Sequence, residues 1–201
     1  MPLSTSADRE LLHLRDIDLR GYQRADGLVD IEAHLVDTKT YTFPNVDRGE
    51  VKPGEPLHGM WLRLTINLDL EIVEAEAASD FTPYVQCPQA APNFSRLAGL
   101  KIGPGFNKAV NERVGGVVGC THLREVLAQM ATVAYQTTYS LRDKRARAQR
   151  AAAIEANGGK ELPREPAKRP SLIGTCLAYD PAGEVVRKRW PEWAEPAKVE
   201  G

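Results

Sequence analysis

Residues 14–41 read "LRDIDLRGYQRADGLVDIEAHLVDTKTY", and the chain is expected to fold back on itself at "RADG". Asp-Gly closes β-hairpins because glycine takes the positive φ that a tight turn demands. Two strands follow from it, roughly residues 12–23 and 28–40. In the second, Val29, Ile31, Ala33 and Leu35 share one parity while Asp30, Glu32 and His34 share the other, as a half-buried strand requires. Asp37 falls on the apolar parity, so one carboxylate is aimed at the core side.

Working outward, "FPNVDRGEVKPGEP" (43–56) carries proline, glycine and charge and is expected to be a surface loop. Beyond it, Met60, Leu62, Leu64 and Ile66 alternate with Trp61, Arg63, Thr65 and Asn67, and "NLD" turns the chain into a further strand near 70–78. Extended backwards, that register puts His58 on the face of Met60 and Leu62. From about 92 the pattern becomes helical, with a short helix at 92–100, another turn or two at 106–113, and a long helix from Thr121. There Leu123, Val126, Leu127, Met130, Ala131 and Ala134 recur at three- and four-residue steps.

"LRDKRARAQRAAAIEAN" (141–157) has high helix propensity and little apolar periodicity, and "NGGKELPREPAKRP" reads as a linker. "LIGTCLAYDPAGEVVRKRWPEW" (172–193) places a turn between β-rich runs and predicts a C-terminal β-hairpin. The expected fold is α+β, an antiparallel sheet built from hairpins with helices packed on one face. A single domain over 1–201 is expected, with a charged helical extension and linker at about 141–170.

Twenty-six Lys and Arg against 27 Asp and Glu leave a net charge of −1, which argues against nucleic acid or an anionic membrane as partner. No apolar run approaches a membrane span, and a cytoplasmic protein is expected. The basic "RDKRARAQR" has no interleaved aromatics for base stacking. The three widely spaced cysteines, Cys87, Cys120 and Cys176, suit free thiols better than a disulfide framework. "GGVVG" and "GPG" match neither a dinucleotide fingerprint nor a P-loop.

Chemistry concentrates in two places. Cys120 and His122 precede and open the long helix, where unpaired N–H groups and the helix dipole favour a thiolate, so Cys120 is a candidate nucleophile or ligand as well as a small packed residue. His122, Glu125, Gln129 and Gln136 share one stripe of that helix, either a solvated face or a pocket wall. Elsewhere, His58 and Asp37 both sit on inward parities, and a histidine held by a carboxylate is a fixed general base. Cysteine–histidine spacing gives only Cys-x-His at 120–122, so no structural zinc site is expected.

The blocks "RADGLVDIEAHLVDTKTY", "PGEPLHGMWLRLTI" and "VGGVVGCTHLREVL", in that order, resemble a bacterial family known as a domain of unknown function. The likeness covers most of residues 10–140 and reaches the terminal "GEVVRKRWPEW". It implies no activity. It does imply that Asp37, His58, Cys120 and His122 lie within shared blocks, and that 142–170 is a variable segment.

The expected function is that of an enzyme acting on a small, partly apolar molecule, aromatic compounds included, by acid–base chemistry without a cofactor. A carbon–carbon lyase of retro-aldol type, releasing a small aldehyde in the catabolism of aromatic compounds, fits; isomerisation and hydrolysis fit nearly as well. His58 would move the proton, Asp37 orient it, and His122 or Tyr41 stabilise developing oxygen charge, with Gln129, Gln136 and Trp61 binding substrate. The alternative is a non-catalytic ligand- or metal-binding module centred on Cys120 and His122. A homo-oligomer is compatible with either.

Overall fold

The computed structural model describes residues 3–161 and 168–196. Its centre is a four-stranded antiparallel sheet of β1 (His13–Gln23), β2 (Val29–Lys39), β5 (His58–Ile66) and β6 (Ile72–Phe81), in that spatial order. The segment expected as a plain loop contains a small two-stranded ribbon, β3 (Phe43–Asn45) with β4 (Gly49–Val51). After the sheet come a 3-10 helix (Cys87–Leu97), α1 (Phe106–Val114), a second 3-10 turn (Gly116–Val118) and α2 (Thr121–Ala156). The fold is α+β, as the alternation predicts.

The first hairpin sets the register of everything downstream. Arg24 N–H donates to the Leu28 carbonyl at 2.9 Å, closing a three-residue loop with Gly27 at φ 85°. His13 therefore lies opposite Lys39, and Arg15 opposite Asp37. On the inner face Val29, Ile31, Ala33 and Leu35 from β2 and Met60, Leu62, Leu64 and Ile66 from β5 are all buried. They form one core with Phe94, Leu97, Phe106, Val110 and the α2 stripe Leu123, Val126, Leu127, Met130 and Ala134. Period-two and period-3.6 apolar patterns thus meet in a two-layer packing. α2 passes so close over β1 that a Cβ on Gly21 would lie 2.0 Å from Thr137 Oγ1, which is why β1 carries a glycine there.

The chain divides into two compact units, residues 1–148 and 149–201. The charged stretch after Leu141 is helical and continuous with α2, and within unit 1 Arg145 bonds to both Asp69 and the Leu68 carbonyl. Of the expected linker, residues 162–167 lie outside the described residues.

The C-terminal hairpin is corrected. Residues 172–193 form 3-10 turns and α3 (Glu184–Arg189). Gly183 stands at the N-cap of α3, Glu184 in its first turn, and Arg187, Lys188 and Arg189 in its last. That charge order favours the helix dipole, and Glu184 pairs with Lys188 one turn on, so local electrostatics outweigh the β-propensity of the two valines. Among the described residues, no helix is long and apolar enough to cross a membrane.

Candidate active site

Strand register assembles the site. Arg15 on β1, Asp37 on β2 and His58 on β5 are direct cross-strand neighbours, making one polar row on the inner face at the end of the apolar rows. Asp37 is 1% exposed and His58 7%. A buried carboxylate must be compensated, and here four nitrogens from three side chains converge on it. Arg15 Nε donates to Oδ1 at 2.7 Å and Nη2 to Oδ2 at 2.8 Å, a bidentate clamp. His58 Nδ1 donates to Oδ2 at 2.9 Å, and His13 Nε2 lies 3.4 Å from Oδ1.

His122 arrives from above, one residue into α2. Its ring centroid is 3.8 Å from that of His58, with the planes tilted by 34°. The preceding glycines allow this: a Cβ on Gly119 would come within 1.9 Å of the Val114 carbonyl oxygen, so only glycine lets the chain turn tightly enough to seat the helix start here. The Cys120 carbonyl accepts from Arg124 N–H at 3.0 Å, so Cys120 occupies the N-cap position. Three residues past His122, Glu125 receives Arg15 Nη1 at 2.9 Å. Arg15 is thus forked between a sheet carboxylate and a helix carboxylate.

The electrostatics follow from this packing. Burial pushes the Asp37 carboxyl up, but the Arg15 hydrogen bonds and charge, helped by His58, outweigh it and hold the group below its ordinary value. Burial lowers His58, and His122 adds to this, against the opposing pull of Asp37. Burial and then the Arg15 charge lower His122, against Asp37 and Glu125. The resting state is an anionic carboxylate behind two neutral imidazoles. With Nδ1 of His58 committed to Asp37 as a donor, its Nε2 carries the lone pair.

The structure brings together Asp37, His58 and His122, and places Cys120 beside them, its Sγ 3.9 Å from both His122 Nδ1 and Met60 Sδ. The other expected residues lie elsewhere. Trp61 points to the outer face, since it follows Met60 by one residue, and there it stacks on His34 and donates to Asp80. Tyr41 lies beyond the end of β2, accepting from Lys39 Nζ at 3.1 Å and edge-on to Phe43. Gln129 and Gln136 are exposed on α2, and fourteen residues of helix put Gln136 about 21 Å along the axis from His122. Surface depressions flank Trp61 on the outer face, but their arginines are already spent, Arg63 on Glu76 and Arg20 on Asp18.

Arg15 and His13 are members of the site that the sequence reading missed. The signal that finds Arg15 is the hairpin register, once the loop is counted as three residues. All three cysteines are free.

No curated protein and no solved structure matches the chain. A family model described as a protein of unknown function, DUF2889, matches residues 13–136, a span that starts on the first residue of β1 and contains every member of the cluster. The chain therefore belongs to the DUF2889 family.

Proposed function

We propose that the chain is a cytoplasmic enzyme that transforms a small molecule by acid–base chemistry at His58, with a carbon–carbon lyase step of retro-aldol type as the reaction. The observation that carries this is the Arg15–Asp37–His58 row, in which Asp37 and His58 are buried: a carboxylate that is itself clamped fixes one ring nitrogen as a donor and leaves the other as a proton acceptor. Packing alone would be served at lower cost by apolar residues, which favours a chemical role for the row.

In a retro-aldol step His58 Nε2 takes the proton of a β-hydroxyl, and the oxygen's electrons form the aldehyde carbonyl as the carbon–carbon bond breaks. The bonding pair moves onto an electron-withdrawing neighbour of the other fragment, which is then protonated at carbon. His58 would return that proton to the carbon, and His122, whose ring centroid lies 3.8 Å from that of His58, would donate to the developing oxyanion. A base, a proton donor and no activated nucleophile are the minimal equipment for this reaction. Cys120 Sγ lies 3.9 Å from both His122 Nδ1 and Met60 Sδ, and in this scheme the thiol packs and does not attack.

The test is a screen of hydroxylated aromatic small molecules with aldehyde release as the readout. Release by the wild type that disappears in folded His58→Gln supports the reading. Equal rates in the variant remove the histidine from the chemistry.

A further inference from the structure

We propose that the facing imidazoles of His58 and His122 are also a binding site for one divalent transition-metal ion of the zinc class, backed by Asp37, and that an ion there takes the lone pair His58 needs as a base. Asp37, His58 and His122 can each offer a ligand atom such that all three lie within 4.8 Å of one another. They come from β2, β5 and α2, so sequence spacing of the C-x-x-C kind could not announce them.

The roles within the trio follow from hydrogen-bond accounting. A carboxylate has about four acceptor sites, and Asp37 spends three of them on Arg15 Nε, Arg15 Nη2 and His58 Nδ1, with His13 Nε2 lying 3.4 Å from Oδ1. Asp37 is therefore a poor direct ligand and a good second partner. A metal-bound histidine ordinarily donates its other ring N–H to a carboxylate, which fixes the ring and raises its basicity. His58 already makes that bond at 2.9 Å.

Charge also suits an ion. Around the rings stand two carboxylates, Asp37 and Glu125, against one guanidinium, Arg15, a local balance of one negative charge. Two imidazole nitrogens select zinc, cobalt, nickel or copper over magnesium and calcium, which prefer all-oxygen cages. With only two protein nitrogens the remaining positions fall to water or a small ligand.

The second half of the proposal, competition for the lone pair, rests on the reading of His58 as a base; the first half does not. The experiment titrates the full-length, chelator-treated protein with zinc and with magnesium by calorimetry, and follows the ¹⁵N shifts of the histidine rings in the wild type. The expected result is one equivalent of zinc and no magnesium, with ring-nitrogen shifts confined to His58 and His122. Binding should vanish in His122→Ala, weaken about 10–100-fold in Asp37→Asn, and survive in His34→Ala. Absence of zinc binding, or ring shifts elsewhere, overturns the site while leaving the acid–base reading to its own test. Zinc binding together with turnover that requires zinc overturns the competition and the acid–base reading, and leaves the site standing.

Discussion

His58 and His34 lie on neighbouring strands of one sheet, each against another ring, at 3.8 Å for His122 on His58 and 3.7 Å for Trp61 on His34. The resemblance ends there. His34 stacks within 6° of parallel on the outer face, and Trp61 there is 42% exposed. His58 is buried on the inner face, with a clamped carboxylate bonded to its Nδ1. Ring contact alone is thus no mark of chemistry. What separates the two histidines is the polar row behind one of them, and the pleat decides which histidine faces it, since side chains alternate between faces at every residue.

The sharpest way to break the comparison is to swap each histidine for glutamine. His58→Gln is expected to lower turnover by about 10²–10⁴-fold, the usual worth of a positioned proton-transfer group. His34→Gln should leave turnover within about twofold, as befits a surface substitution away from the reacting groups. Steady-state rates of both folded variants on a substrate found by aldehyde-release screening decide it, and equal losses in the two would mean that the inner and outer faces have been confused.

Next in size is the packing beneath the site. Leu127 is 1% exposed in the core shared by α2 and the sheet, and Leu127→Ala is expected to cost about 2–5 kcal/mol in denaturant unfolding. A smaller loss is expected from Asp37→Ala, about 1–3 kcal/mol, since Arg15 and His58 each lose a buried acceptor. Arg15 keeps Glu125, which holds the loss below that of a fully orphaned charge. Its outer-face counterpart, Asp80→Ala, frees only the Trp61 indole N–H to water and should stay within about 0.5 kcal/mol. An Asp80 variant as damaging as the Asp37 one would show that the outer pair is structural in its own right.

Much of this was legible in the sequence, and the gaps have physical causes. Strand parity alone aimed Asp37 and His58 inward, and periodicity placed Leu127 in the core. Trp61 sits on the opposite parity from His58, so the same rule excludes it from the His58 face. Arg15 was hidden by loop length. A two-residue loop on Asp26-Gly27 would pair Ala25 with Leu28 and set Arg15 against Thr38, whereas the three-residue loop sets it against Asp37. The convergence of His122 on His58 was beyond local reading, because it depends on where the glycine turn seats the start of α2. The C-terminal hairpin failed for another reason, the pull of helix-end charge against β-propensity in a six-residue element.

A small effect is also expected at Cys120, where the comparison can be sharpened within the site itself. Its thiol contacts Met60 Sδ and His122 Nδ1 only at 3.9 Å, and its contribution to the helix start is made by its carbonyl, which alanine retains. Cys120→Ala should therefore cost no more than about 1 kcal/mol of stability, the scale of a small packing change. Turnover should fall by less than about threefold, because in this scheme the proton moves between substrate and imidazole and no bond forms to sulfur. A covalent role predicts the opposite, abolition of turnover with the fold intact and an adduct on Cys120 detectable by mass spectrometry. Near-normal rates in Cys120→Ala beside a collapse in His58→Gln would assign the chemistry to the histidine bonded to a carboxylate and leave the thiol as part of the wall that holds His122 against it.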